Sequence, residues 1–185
     1  MNISTSEGVE MLSSGGLKTL ASVCWWHLIN DASLLTPTEA GWRVSPSLGR
    51  QKDRLALIEG LKKEIITAVA VHSVPLDQED IQYPPSQREP GLAGHQLVLP
   101  SLWEELVVKA GVSIEVLWRL LSFGPSEFLG LPEEKLTIGS RRWLVFDPDE
   151  SWTQSRSKKF APMAANQPWE GKLIKGKVVS CGLKD

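Results

Sequence analysis

The sequence predicts an α/β protein in which alternating strands and helices are followed by a short β-rich segment. Residues 65–71 form an almost continuous apolar run of strand length, which is typical of a strand buried on both faces of a parallel sheet. Residues 53–63 place apolar side chains at helical spacing beside charged ones, so they predict an amphipathic helix. After Gly130, short apolar runs alternate with turn residues, which indicates further strands.

The elements before this buried strand are predicted from local signals. Ser4-Thr5-Ser6-Glu7 fits a capping box in which Ser4 and Glu7 satisfy each other's amides, so a short helix should run to about Leu12. Residues 17–24 mix β-branched and apolar side chains over a strand length. A stretch rich in turn residues then leads to the amphipathic helix.

The elements after it are a loop and two helices. Asp77–Gly94 contains prolines and glycines among charges and predicts a long loop. Residues 100–110 predict a helix with Pro100 at its start, and residues 113–123 predict a second helix with Ser113 as its N-cap. The chain therefore contains two predicted helices between the loop and the β-rich segment.

The last third of the chain predicts a separate small unit. The apolar runs at 143–146 and 177–180 are separated by turn signals that include Asp147-Pro148. We therefore predict a partial α/β barrel over residues 1–130 and a β-rich appendage over residues 131–185.

Composition sets the class of protein. The chain has 185 residues, of which 42% are hydrophobic, enough for one domain with a core but fewer than the roughly 250 of a complete eight-stranded α/β barrel. The 20 basic and 22 acidic residues give a net charge of -2 and are interspersed, so no nucleic-acid or membrane partner is expected.

No signal peptide or membrane span is predicted, which favours the cytoplasm. Cys24 and Cys181 are expected to be free thiols, and the eight tryptophans to be scattered core and rim residues.

Several segments together resemble dihydroorotases of the cyclic amidohydrolase superfamily, in the same order and at similar spacing. They are residues 50–62, 90–94, 120–131, 146–153 and 167–171. The resemblance implies a metal-dependent α/β barrel that carries a small β-sandwich. This chain corresponds to the last part of that plan, from the sixth barrel strand onward, so the expected fold is a partial (β/α) amidohydrolase-type barrel plus a small C-terminal β-sandwich segment.

The resemblance also assigns the active-site positions, and the side chains at these positions are altered. Asn2 stands where the family has a metal-binding histidine, and an amide is a poor zinc ligand. His72 replaces the aspartate that binds metal and transfers the proton, and Leu76 replaces a histidine that contacts the substrate. Ser45 and Gly49 stand at the positions of a substrate-binding asparagine and arginine. His27 matches a histidine that is not one of the family's known metal ligands, and we expect it to be structural.

These losses predict a catalytically inactive dihydroorotase-like protein with no catalytic residue and no expected cofactor. Because strands taken out of a closed barrel expose edges and apolar surface, a protein partner or self-association is expected. The alternative is enzymatic: one half of a split zinc-dependent dihydroorotase that interconverts carbamoyl-aspartate and dihydroorotate in pyrimidine biosynthesis. The sequence is equally compatible with a fragment that has no activity of its own.

Overall fold

The fold contains a parallel sheet, a set of helices packed on it and a long antiparallel hairpin. A computed structural model of the protein describes residues 1–15, 20–35, 40–84, 86–132, 135–157 and 163–183. Within these ranges the strands are β1 (Asn2–Ile3), β2 (Ser22–Cys24), β3 (Ala68–Ala70), β4 (Arg142–Thr153) and β5 (Leu173–Leu183). The α-helices are α1 (Ser6–Ser14), α2 (Trp26–Ile29), α3 (Gln51–Lys62), α4 (His95–Leu102), α5 (Ile114–Trp118) and α6 (Gly124–Phe128).

Short helical segments of other types complete the backbone. Turns of 3-10 helix occupy Ala32–Leu34, Ala40–Trp42 and Asp80–Gln82. The segments Trp103–Lys109 and Arg119–Phe123 are π-helical and continue α4 and α5 directly. The predicted loop at 77–94 is confirmed over its described residues, apart from the single turn at Asp80–Gln82.

The parallel sheet has the strand order β1-β2-β3. Asn2 pairs with Ser22, and Ser22 pairs with Ala68 on its other side. Helices α1 and α3 connect these strands and pack on each other, which gives the strand-helix alternation that the sequence predicts. Residues 68 and 69 are buried, as expected for a strand that carries apolar residues toward both faces. The predicted strand at 17–24 is confirmed only over Ser22–Cys24, and residues 16–19 lie outside the described part.

Three predicted helix starts are wrong. The amphipathic helix predicted from residue 53 is confirmed as α3, but it begins at Gln51. Helix α1 begins at Ser6, and its N-cap is Thr5, whose hydroxyl oxygen accepts the Gly8 amide at 3.2 Å. The reason is the Asp53 carboxylate, which accepts the Ser6 amide and hydroxyl and so fixes the start of the helix there. Helix α4 begins at His95, five residues before the predicted start at Pro100.

Tertiary packing explains why α4 extends through a proline. Pro100 lacks the N–H that would bond to the carbonyl oxygen of residue 96, which disfavours an interior helix position. Leu97 and Leu102 are both fully buried on either side of it, so the apolar burial of this turn offsets the lost hydrogen bond. The Ser113 N-cap, in contrast, is confirmed: its hydroxyl oxygen accepts the Val116 amide at 3.3 Å.

Asp147 and Pro148, which were predicted to form a turn, lie inside strand β4, so that prediction is wrong. Strand β4 continues through these residues, and the register of the pair shifts between Asp147 and Ser151. Such an irregularity accommodates a proline, because a bulged residue does not need to donate to the partner strand. The Phe146 ring packs on Trp103 with ring centroids 5.2 Å apart, and this contact joins the hairpin to the helical layer.

Candidate functional site

The candidate site lies at the edge of the sheet where the three parallel strands end. In α/β proteins, ligands bind beyond the carboxyl ends of parallel strands because the following loops meet there. Trp25 directly follows β2, and His72 follows β3 by two residues. Their contact is direct: the Trp25 indole N–H donates to the His72 carbonyl oxygen at 3.1 Å. The polypeptide after β2 and β3 therefore meets at this edge.

Asn2 lies on β1 and Cys24 on the adjacent strand β2, two residues beyond Ser22, the register partner of Asn2. The Cys24 thiol is fully buried and hydrogen-bonds to the Asn2 side chain. Burial raises the pKa of Cys24 to about 12, more than the hydrogen bonds to Asn2, His72 and Trp25 lower it. The thiol is therefore protonated at neutral pH and is a poor metal ligand, since thiolates bind zinc.

His72 is exposed, and its ring packs against one tryptophan. The centroids of the His72 and Trp26 rings are 5.8 Å apart, with 43° between the ring planes. An imidazole in this position offers one nitrogen ligand at the rim of the sheet.

Four tryptophans form a cluster at the strand ends. Trp25 and Trp26 are buried, Trp169 stacks on Trp25 at 5.8 Å with 19° between the planes, and Trp42 meets Trp169 edge-on at 5.1 Å. We call these residues the tryptophan cluster. The tryptophans are scattered along the sequence, which gives no indication that these four meet in the fold. The one local signal was the pair Trp25-Trp26 placed directly after a buried strand.

The loop after β3 is fastened by a segment near the end of the chain. Asn166 is 2% exposed; its Oδ1 accepts the Leu76 amide at 3.0 Å and its Nδ2 donates to the Val74 carbonyl oxygen at 2.8 Å. The Ala165 amide donates to the Leu76 carbonyl oxygen at 2.7 Å. We call these three bonds the Asn166 clamp. Leu76 is buried, so its side chain contributes to the core.

Ser45 and Gly49 lie in the loop that precedes α3. Ser45 is exposed and its peptide bond to Pro46 is cis. Gly49 accepts the Ala32 amide through its carbonyl oxygen, and a Cβ atom at this position would lie 2.8 Å from the Asp53 carboxylate. A larger side chain at residue 49 would therefore displace Asp53 from its hydrogen bonds at the start of α1.

His27 is 2% exposed, and its Nε2 lies 3.4 Å from the Ser47 carbonyl oxygen. Burial lowers the pKa of His27, against the weaker opposite effect of the Ser47 and Pro46 carbonyl groups. The imidazole is therefore neutral at physiological pH. It connects α2 to the loop before α3, which agrees with the structural role expected for it.

The donor atoms that the described residues place at this edge do not by themselves make up a zinc site. A catalytic zinc site needs three protein ligands arranged around one point. In the part of the chain that the structure describes, no three His, Cys, Asp or Glu side chains lie close enough to bind one metal ion. The side chains present at the strand ends are the Asn2 amide, the protonated Cys24 thiol and the His72 imidazole.

No protein-family model matches the sequence, but individual known proteins are similar to it. The chain is 39% identical to a probable dihydroorotase-like protein of Synechocystis over 97% of its own length and 42% of that protein. It is 31% identical to a dihydroorotase of Aquifex aeolicus over 94% of its own length and 40% of that protein. A dihydroorotase-like protein of Pseudomonas aeruginosa is 30% identical, with coverage of 95% and 42%.

Solved structures share the fold at lower sequence identity. A dihydropyrimidinase of Brevibacillus agri superposes with a TM-score of 0.81 and 21% identity, covering 98% of this chain and 42% of that one. An inactive dihydroorotase-like domain of the CAD-like multifunctional protein of Chaetomium thermophilum gives a TM-score of 0.67 and 20% identity, covering 100% and 49%.

The fold is therefore shared with a dihydropyrimidinase and with an inactive dihydroorotase-like domain. In sequence, the chain is a homologue of proteins named dihydroorotase and dihydroorotase-like protein, and it spans about two fifths of their length. The resemblance predicted from the sequence is therefore confirmed.

Proposed function

We propose that this chain is a catalytically inactive dihydroorotase-like protein that acts as a structural or interaction partner. The observation that carries the proposal is the occupation of the strand ends by the tryptophan cluster and the Asn166 clamp. Trp25 and Trp26 are buried where a substrate and a metal ion would need polar, open space, and the neighbouring donors do not fit zinc. The similarity to a Chaetomium domain described as inactive supports the same conclusion.

We further propose that the sheet is part of a (β/α) barrel and that the hairpin is one portion of a small β-sandwich, with the division near residue 130. Support comes from the topology, because β1 and β3 are edge strands of the described sheet. An edge strand presents unpaired backbone groups that favour pairing with another chain. The proposed barrel would close through such pairing.

The expected partner is a protein or a second copy of this chain, with neither nucleic acid nor membrane involved, in the cytoplasm. The exposed apolar surface of the hairpin supports a protein contact: Trp143, Leu144 and Val145 on β4 and Val178 and Val179 on β5 are each 40–50% exposed. A two-stranded ribbon is marginally stable by itself, so covering this surface would stabilise it. In the described part, no helix is long and apolar enough to span a membrane.

The competing proposal is a split zinc enzyme, in which a second polypeptide supplies the missing ligands for carbamoyl-aspartate and dihydroorotate interconversion. The exposed His72 ring at the end of β3 is the observation that favours it. The reaction would then need both chains. We place this proposal second because Leu76 is fixed in the core by the Asn166 clamp and offers no donor group.

The test is to isolate the native complex from its own cells and measure its mass, zinc content and carbamoyl-aspartate cyclisation. We expect a complex heavier than one chain and no turnover that depends on His72. His72→Ala is the test variant, and His95→Ala, which changes an exposed histidine at the start of α4, is its matched control. Stoichiometric zinc with turnover that His72→Ala abolishes and His95→Ala preserves would establish the split enzyme instead.

A further inference from the structure

A small cavity lies at the end of the sheet opposite to the candidate site. Its volume is about 200 Å³, and it is bordered by Leu20 and Thr67, which lie just before β2 and β3. The facing wall comes from α5, the π-helical segment after it and α6. A Cβ atom at Gly124, the first residue of α6, would lie 1.7 Å from the Thr67 carbonyl oxygen. The helical wall therefore packs directly against the backbone of the sheet beside the cavity.

The cavity has an apolar interior and charged side chains where it meets solvent. Leu61, Ile66 and Leu120 line it and are at most 2% exposed. Glu64 and Arg119 also line it, and their side chains are 61% and 55% exposed. Lining side chains with this much exposure lie at the opening. The division matches an amphipathic ligand, with an aliphatic end inside and a charged end outside.

The charges at the opening favour a cation. Of the described residues that line the cavity, Glu64 and Glu127 are acidic and Arg119 is basic. Arg119 forms an ion pair with Glu64, and no such partner of Glu127 is found in the described part of the chain. These lining residues therefore leave one negative charge uncompensated. An ammonium group close to Glu127 would neutralise it.

The backbone of Glu64 indicates that this side chain does more than end a helix. Its φ of 56° is in the left-handed region that favours glycine. Glu64 follows α3 in a Schellman motif: the Ile65 amide donates to the Gly60 carbonyl oxygen at 2.9 Å, and the Glu64 amide to that of Leu61 at 3.1 Å. Glycine is the usual residue at this position, so a glutamate there costs stability. A requirement for its carboxylate at the cavity explains the cost.

We propose that this cavity binds a small aliphatic monoamine, with the alkyl chain against Leu61 and Leu120 and the ammonium group at Glu127. The volume is below the roughly 300–1,000 Å³ of sites for drug-sized ligands. At roughly 30 Å³ for each non-hydrogen atom, the share of one water in the liquid, it holds about seven such atoms, as in hexylamine. The site is independent of the proposed function, because it lies at the other end of the sheet.

The test titrates the full chain with hexylamine at pH 7 and follows the methyl signals of Leu61, Ile66 and Leu120 by NMR. We expect these signals to shift and to saturate. Hexanol, which has the same chain without the charge, should bind about fivefold more weakly, and hexanoate more weakly still. Signals that do not saturate with hexylamine would overturn the proposal. Equal binding of hexylamine and hexanoate would overturn it as well.

Two variants at the opening should change the binding in opposite directions. Glu127→Gln removes the uncompensated charge and should weaken hexylamine binding about fivefold, the effect of one charge at about 4 Å in water. Arg119→Gln removes the cation and should strengthen the binding by a similar factor. Both positions carry exposed side chains, so the fold should persist. Glu79→Gln, at an exposed position outside the cavity, is the matched control. A change of the same sign in the first two variants would contradict the proposal.

Glu64→Gly separates binding from stability. Glycine fits the left-handed backbone at this position, so the denaturation midpoint should rise. Hexylamine binding should nevertheless weaken, because the Arg119 charge is then no longer balanced by Glu64. A variant that binds hexylamine as well as the native protein does would contradict the role proposed for Glu64.

Discussion

The ring of Trp169 lies on the ring of Trp25, 5.8 Å away and nearly parallel to it. This stacking places a side chain from the end of the polypeptide directly over the first residue after β2. Offset stacking of this kind stabilises an aromatic pair beyond the area that it buries, by about 0.5–1.5 kcal/mol. The strand ends are therefore covered by apolar rings from distant parts of the chain.

Asp53 makes the fold sensitive to acid. Its carboxylate accepts the Ser6 amide at 2.9 Å, the Ser6 hydroxyl at 2.8 Å and the Arg50 amide at 2.9 Å. The Ser6 amide is the largest of the causes that lower the pKa of Asp53, and burial opposes them. Because the pKa is lower in the folded state than the ordinary 3.8, the stabilisation is complete above that value and is lost as the pH falls below it.

We expect Asp53→Ala to lower the free energy of unfolding by about 1–3 kcal/mol at pH 7, because three donors lose their acceptor. The variant should also lose part of the decline in stability below pH 4. Urea denaturation at several pH values measures both effects. Ser6→Ala removes only the hydrogen bond from the Ser6 hydroxyl and should lower the free energy of unfolding by a smaller amount. Equal pH profiles for Asp53→Ala and the native protein would contradict this account.

Asn166 fixes the loop that carries Val74 and Leu76. Asn166→Ala removes two hydrogen bonds to the backbone of this loop, so the amide of Leu76 should exchange with solvent much faster. The stability loss should be about 1–3 kcal/mol. Hydrogen-exchange mass spectrometry of the peptide covering residues 72–76 measures the first effect. Gln78→Ala, at an exposed position nearby, should leave the exchange of that peptide unchanged.

Arg54 joins two layers of the structure. Its Nε lies 3.0 Å from the nearly buried carboxylate of Asp31, and its Nη1 lies 3.4 Å from Glu105. Arg54→Met should destabilise the protein by about 3 kcal/mol, because it leaves the Asp31 charge without its cation. Lys62→Met breaks an exposed ion pair with Glu59 and should cost roughly 0–1 kcal/mol. Similar denaturation midpoints for the two variants would show that the buried pair of Arg54 and Asp31 contributes no more to stability than the exposed pair.

The two cysteines should react very differently. Cys24 is buried with a pKa of about 12, whereas Cys181 is exposed on β5. A thiol reagent at pH 7.5 should therefore modify one cysteine per native chain and two after unfolding, because the thiolate is the reactive form. Cys181→Ser should abolish the native reaction. Rapid modification of that variant would indicate that the strand ends open to solvent.

Local signals in the sequence predicted the elements better than the site. Ser113 was identified as an N-cap because the cap and its amide partner are three residues apart, and the buried strand at 68–70 was visible as an apolar run. The start of α4 was missed because burial of Leu97 and Leu102 outweighs the signal of Pro100. Propensity is a weak guide where tertiary packing decides.

The arrangement of the site depended on contacts that no local pattern encodes. The sequence identified the altered position Leu76 by resemblance, but it gave no indication that Asn166 bonds to the backbone there. The tryptophan cluster was equally invisible, because Trp25, Trp42 and Trp169 are distant along the chain and meet only after folding. Long-range side-chain contacts of this kind require the fold itself.

The Asn166 clamp also has a consequence for biosynthesis. Asn166 follows Leu76 by 90 residues, so the two cannot bond until most of the chain has left the ribosome. Until then, the loop after β3 lacks its hydrogen bonds to Asn166. The rings of Trp25 and Trp42 likewise lack their contacts with Trp169. At a synthesis rate of about 5–20 residues per second, the 90 residues between them take several seconds to make, so the clamp forms late in synthesis.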